Sequence, residues 1–457
     1  MKNYKFSFYN IVTPVIEELS EEPTRILFSS RSGKSMLITD KLYQKVIQKD
    51  FSELQNKILS ELIYNEILVE ETEVEFDEIL RQNAHSIKDD KNLDITIQPT
   101  ANCQFGCHYC GQVHSKKHMN DEIVTKTLSR IKHNLKQKNY QSISIEWYGG
   151  EPLMAHNQII SMSKDLITYC DENKIRYFAE MITNGLIFKK ALFKKLVECK
   201  ITHYQITLDG LPEIHDKRRI LKSGGGTFDV IFKNIIEVVN SQEFEESKSS
   251  ITLRINIDKD NASSVCDLID YFSEHNLQSK RVSIDFVGVV NWGDNMADKN
   301  SLNDKDFADK RIDWILYAIK KGFKYGDILP QRIAGPCMVV KDNAEVYDAF
   351  GNIYPCYEFP YTPKYEKPEY KIGHLNTIDK TINQNAITKN WYSDIKTDIS
   401  TCKQCNLFPV CGGGCPKMWY NGERACPSFK SNFEDILLLD YILKKDESQE
   451  IIKSLNT

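Results

Sequence analysis

Ten of the thirteen cysteines stand at intervals that suit metal chemistry. The most informative are Cys103, Cys107 and Cys110, within Thr100-Ala-Asn-Cys103-Gln-Phe-Gly-Cys107-His-Tyr-Cys110. Their spacing is C-x3-C-x2-C, with the aromatic Tyr109 before the last thiol, and they follow the strand-like run Leu93–Gln98. Three thiolates on one short loop can hold three corners of a cubane iron–sulfur cluster, which normally takes four cysteines. The fourth iron then stays open to a ligand, which suits catalysis more than electron storage. A zinc loop or unrelated thiols are the alternatives, although structural zinc sites usually show paired C-x2-C knuckles.

A second field lies toward the C-terminus. Cys337 and Cys356 flank Gly351, and Cys402-x2-Cys405-x5-Cys411-x3-Cys415 and then Cys426 follow. Tyr347–Tyr354 reads as a hairpin turning at Gly351. Between the fields stand residues able to meet a small polar ligand. Gly149 and Gly150 permit close backbone approach, and Glu151 can accept a charge-assisted bond from an ammonium group. Arg219 offers a planar guanidinium to a carboxylate. On a predicted strand, Arg254 and Asn256 share one face. His215 and Asp216 can equally be structural, tying their loop by hydrogen bonds. Cys170, Cys199 and Cys266 sit among apolar residues and read as core.

Positioning such groups requires a frame. From about 91 to 300, strand patterns at Leu93–Gln98, Ile143–Tyr148, Tyr177–Thr183, His203–Leu208, Ile251–Ile257 and Val282–Val287 alternate with helical ones, which predicts an α/β parallel sheet. Each motif falls at a strand's carboxyl end, where parallel barrels keep their working groups. Residues 1–90 contain no cysteine. They predict a hairpin over Ile26–Ile38, two helices near Leu42 and Leu54, and a weakly structured acidic stretch over Val69–Glu78. An apolar-periodic helix from Ser431 is expected to pack across the barrel.

On Cys103, Cys107, Cys110 and Tyr109, on Gly149-Gly150-Glu151 and on Thr207-x-Asp209-Gly210 with His215-Asp216-x-x-Arg219, the chain resembles the radical S-adenosylmethionine (SAM) enzymes. The resemblance implies a partial (β/α)6 TIM-like barrel over 91–300. It also implies a four-iron cluster whose open iron is chelated by SAM, and cleavage of SAM to a 5′-deoxyadenosyl radical. By carry-over, Glu151 holds the SAM amino group, Arg219 its carboxylate, Thr207 the ribose or carboxylate side, and Asn256 a further polar contact. Thr207 departs from the family's serine but keeps the hydroxyl.

The second field is similar to the SPASM extension of these enzymes, expected over 301–430 with a C-terminal helix over 431–457. That likeness implies two auxiliary four-iron clusters, three in all. One would be held by Cys402, Cys405, Cys411 and Cys426. The other would be held by Cys337, Cys356 and Cys415 with a fourth position open or non-cysteine; zinc remains the alternative. Residues 1–90 resemble the winged-helix-like module by which peptide-modifying relatives bind a leader segment through strand addition; the alternative is a structural cap.

Composition narrows the partners. A net charge of −5 gives no reason to expect nucleic acid. No apolar run approaches a membrane span, and the amino-terminal residues do not read as a signal peptide, so a cytoplasmic protein with reduced thiols is expected. The expected reaction is maturation of a ribosomally made precursor peptide: hydrogen abstraction, then a thioether or carbon–carbon cross-link. A ferredoxin or flavodoxin would supply the electron. A sulfatase-type maturase making formylglycine, a peptide epimerase and a non-catalytic electron carrier are the competitors. The sequence does not identify the general base.

Overall fold

The structure, a computed structural model, describes residues 3–17, 21–51, 54–293, 295–377, 387, 390–397 and 399–455. Two compact units divide it: Met1–Asp89 with Gly326–Asp342 and Asn390–Thr457, and Asp90–Tyr325 with Asn343–Lys389. The 301–430 stretch is therefore shared between the two.

In the first unit, β1 (Tyr4–Phe6) pairs with β5 (Leu68–Glu70), and β2 (Asn10–Val12), β3 (Thr24–Ser29) and β4 (Lys34–Thr39) form an antiparallel sheet. The β3–β4 hairpin turns at Gly33 (φ +69°). Thr39 caps helix Asp40–Ile47 by accepting from the Leu42 N–H, which satisfies a donor that has no partner inside the helix. The acidic stretch is more ordered than its composition suggests. It holds β5 and begins helix Glu75–Asp89, with Glu75, Asp77 and Glu78 in the first turn, where the helix dipole favours negative charge. It also neutralises a buried cation: Arg31, 3% exposed, pairs with Glu66 at 2.9 Å, with Glu75 at 3.3 Å and with Glu73. Tyr9, Phe76, Ile79 and Leu80 share one core with Trp391, Ile395, Cys402 and Phe408. The C-terminal helix Phe433–Leu455 sets Phe433 against Phe28 of β3, ring centroids 5.1 Å apart.

The second unit is built on β6 (Asn92–Ile97), β7 (Ser142–Trp147), β8 (Arg176–Thr183), β9 (Ile201–Thr207), β10 (Ser250–Ile257) and β11 (Val282–Gly288). These pair in parallel, in chain order. β12 (Ala344–Tyr347) joins parallel to β6, and β13 (Asn352–Tyr354) and β14 (Gly373–His374) extend the sheet antiparallel. The sheet stays open, with β11 and β14 at its edges. Along β10, Ile251, Leu253, Ile255 and Ile257 are fully buried, while Thr252, Arg254 and Asn256 on the opposite face are only part-buried. Period-two alternation thus gives one apolar face and one face free to be polar. Cys170 and Cys199 are buried; Cys266 is half-buried.

Candidate active site

The cysteine loop leaves β6 and is laced to the segment after β9. The Gly106 N–H donates to the Ile220 carbonyl (2.9 Å), the Lys222 N–H to the Gln104 carbonyl (2.9 Å), and Lys222 Nζ to the Cys103 carbonyl (2.9 Å). Burial pushes the Cys103 thiol up to about 12, Glu151 adding to it, and Cys110 up to about 11, Cys107 adding to it. Buried neighbouring thiols resist ionisation unless a cation joins them.

The turn after β7 closes on this loop. A Cβ on Gly150 (φ +52°) would stand 2.5 Å from the Asn102 carbonyl oxygen. A Cβ on Gly149 would stand 2.2 Å from Gln98 Oε1. At Gly150 only glycine lets the two backbones meet, and at Gly149 (φ +78°) it leaves room for the Gln98 side chain. Glu151 follows, 1% exposed. It accepts from the Thr183 hydroxyl (2.6 Å), the Asn184 N–H (2.7 Å) and the Leu153 N–H (3.0 Å). Burial raises its pKa against these bonds. A carboxylate has about four acceptor sites, so Glu151 retains capacity for another donor.

Opposite stands a hub the sequence did not reveal. The Tyr109 hydroxyl donates to Asp209 Oδ2 (2.6 Å) and accepts from Arg219 Nη1 (2.6 Å) and Asn256 Nδ2 (3.0 Å). Asp209 also accepts from the Asn256 N–H at 3.0 Å. Arg219 is 7% exposed and its Nε has no partner. An unsatisfied buried guanidinium donor is costly, so the site is prepared for an anion. Beneath, Arg218 binds Asp258 through Nη1 at 2.7 and 2.8 Å. His215 and Asp216 hold the fold: His215 meets the Asp209 N–H and the Thr227 hydroxyl, and Asp216 accepts from the Thr227 and Phe228 N–H groups.

The loop, the turn and the hub meet at one cavity of about 250 Å³. Its walls bring together Cys103, Cys107, Cys110 and Tyr109 with Gly150, Glu151, Thr207, Arg219 and Asn256. Gly149 shapes the turn without reaching the wall. His114, Tyr148, Trp292, Tyr357 and Glu358 also line it, and sequence reading missed them. For Tyr357 and Glu358 a signal existed, since they directly follow Cys356. Burial drops the His114 pKa to about 4, so its imidazole is neutral at pH 7.

Comparison with known proteins adds the decisive observation. Residues 97–284, which include this loop and most of the cavity lining, match the family model of the radical SAM superfamily. This part of the chain is a radical SAM domain. Membership implies SAM and a four-iron cluster as its cofactors. The chain is 27% identical over 389 residues to a cysteine-type anaerobic sulfatase-maturating enzyme of Clostridium novyi, covering 78% of this chain and 98% of that one. Identity to the Clostridium perfringens enzyme of the same name is 23%, over 75% and 95% of the two chains. Its fold is similar to that of anSMEcpe solved with bound AdoMet: TM-score 0.59, 19% identity, 77% of this chain and 100% of the other. A further structure of anSMEcpe holds AdoMet and a Cp18Cys peptide (TM-score 0.58, 20% identity, 77% and 99% covered).

The radical SAM enzyme gathers a second set of thiols in its first unit. Cys402, Cys405, Cys411 and Cys426 line one small cavity walled by Leu407 and Phe408. Burial pushes Cys411 up to about 12. Gly414 (φ +71°) lies so close that a Cβ would stand 1.9 Å from the Ala425 carbonyl oxygen. Cys337 is likewise pushed up to about 12 by burial, with Cys415 as a nearby charge. Cys356 belongs to the second unit, two residues beyond β13. Among the described residues no three His, Cys, Asp or Glu groups converge as ligands of a single metal ion. Cys103, Cys107 and Cys110 line one cavity, and Cys402, Cys405, Cys411 and Cys426 line another. No described helix is long and apolar enough to cross a membrane.

Proposed function

We propose that this enzyme is a maturase that modifies a ribosomally made peptide. Cys103, Cys107 and Cys110 hold the SAM-cleaving cluster; Glu151 accepts from the SAM amino group; Arg219 pairs with its carboxylate; Thr207 and Asn256 complete the polar wall. The observation that carries the reading is the single cavity in which three thiols, a buried carboxylate with spare acceptor capacity and a buried guanidinium with an unused Nε–H meet. When bound, the cluster and SAM supply a 5′-deoxyadenosyl radical that removes a hydrogen atom from the peptide. The protein's part is to orient and to exclude water.

Two further clusters complete the proposal, one on Cys402, Cys405, Cys411 and Cys426 and one on Cys337, Cys356 and Cys415. The precursor's leader would add a strand to the open edge of β4 in the winged-helix-like module of residues 1–90. Among the described residues β4 pairs within its own sheet only with β3, and its Lys34, Ser35 and Leu37 are exposed. A thioether or carbon–carbon cross-link is the proposed product, with a ferredoxin or flavodoxin as reductant. The similarity to sulfatase maturases favours formylglycine formation as the second reading. Mass spectrometry of a candidate precursor peptide after anaerobic co-expression separates them. Loss of two hydrogens within the peptide, dependent on its leader, supports the first. Conversion of one cysteine or serine to formylglycine in a sulfatase-derived peptide, with no leader needed, supports the second.

A further inference from the structure

Resting on the proposed cluster at Cys402, Cys405, Cys411 and Cys426, cationic side chains lie against the thiols of this set. Arg424 Nε donates to Cys426 Sγ at 3.4 Å, and Lys430 Nζ reaches the same sulfur at 3.8 Å. Two cations therefore meet at Cys426, and Lys430 also hydrogen-bonds the Cys405 side chain. Cys411 Sγ receives only a backbone donor, the Gly413 N–H at 3.4 Å. At the first loop the donors to Cys103 Sγ are neutral: the Phe105 N–H at 3.4 Å and Asn184 Nδ2 at 3.9 Å. Glu151 is the charge that weighs on that thiol.

Hydrogen bonds to cluster sulfurs and nearby positive charge raise a cluster's reduction potential, because each added electron increases negative charge on the sulfur. We infer that Arg424 and Lys430 tune the centre on Cys426, setting its potential above the value the cysteines alone would give. Lys430 is part-buried and therefore the stronger of the pair; Arg424 is exposed and water screens it. Both are positioning residues, since they act on the centre through the sulfur.

The test is an anaerobic redox titration of the purified full-length enzyme, followed by electron paramagnetic resonance. Cys402→Ser is measured first: loss of one cluster's iron, about four per chain, keeps the underlying reading standing. Iron unchanged in that variant removes the reading and this inference with it. K430Q, R424Q and the control K403Q are then titrated with their iron intact. Lys403 is exposed on the same loop and carries the same charge. K430Q is expected to lower the reduced-to-oxidised ratio at fixed potential about tenfold, about 59 mV for one electron. R424Q should move it less, and K403Q least. A midpoint unmoved in K430Q, or moved equally in K403Q, overturns the inference while leaving the cluster assignment intact.

Discussion

Two cysteine fields in one chain meet the same physical problem with opposite surroundings. Around Cys103, Cys107 and Cys110 the wall is polar, with a buried carboxylate on one side and a buried guanidinium held by Tyr109 on the other. That field opens to a cavity of about 250 Å³, room for a ligand beside the metal. Around Cys402, Cys405, Cys411 and Cys426 the wall is Leu407, Phe408 and Pro427, and cations touch the sulfur from outside. The difference teaches that spacing places thiols, while the neighbours decide how polar and how open each field is.

Cysteine replacement tests the contrast most severely. C103S is expected to abolish deoxyadenosine formation from SAM, while C402S lowers iron content but leaves SAM cleavage measurable by chromatography. Equal loss in both variants breaks the comparison. Backbone crowding comes next: G150A and G414A each force a side chain at positive φ against a carbonyl, costing at least about 1–3 kcal/mol. G150A should deplete the iron of the first field and G414A that of the second, read by iron assay on each variant.

A smaller effect is expected from Y109F. Removing the hydroxyl frees Arg219 and Asn256 to drift and should weaken SAM binding about tenfold, the magnitude of one charge-assisted hydrogen bond. Calorimetry of SAM binding to the reconstituted enzyme measures it, and an unchanged Kd would mean the hub serves folding alone.

The smallest prediction concerns stability. Burial, with Glu180 beside it on β8, raises the Glu146 carboxyl to about 7 from its ordinary 4.5. The folded pKa lies above the unfolded one, so this stabilising contribution is full below pH 4.5 and is lost as pH rises through about 7. The span is at most about 3 kcal/mol, and less after solvent relaxation. E146Q should flatten the fall in Tm over that window; a profile unchanged from wild type would place the cause elsewhere.

Much of this was legible in the chain alone. The six parallel strands follow from alternating and continuous apolar runs bounded by turn residues. The thiol ligands follow from their spacing, and the glycines from the need for close backbone approach. Such features are local, and a window of a few residues contains their cause. The acidic stretch at Val69–Glu78 was misread because its charge suits solvent as well as it suits a helix start and a buried Arg31. The Tyr109 hub joins residues 100 or more positions away, on β10 and in the segment after β9, and no spacing encodes it. Nor does spacing show that Tyr357 and Glu358 reach the cavity, or that Tyr9 shares a core with Cys402. Sequence determined which atoms could bind metal; tertiary structure decided which charges face those atoms, because electrostatics depends on distance through space and burial, not on order along the chain.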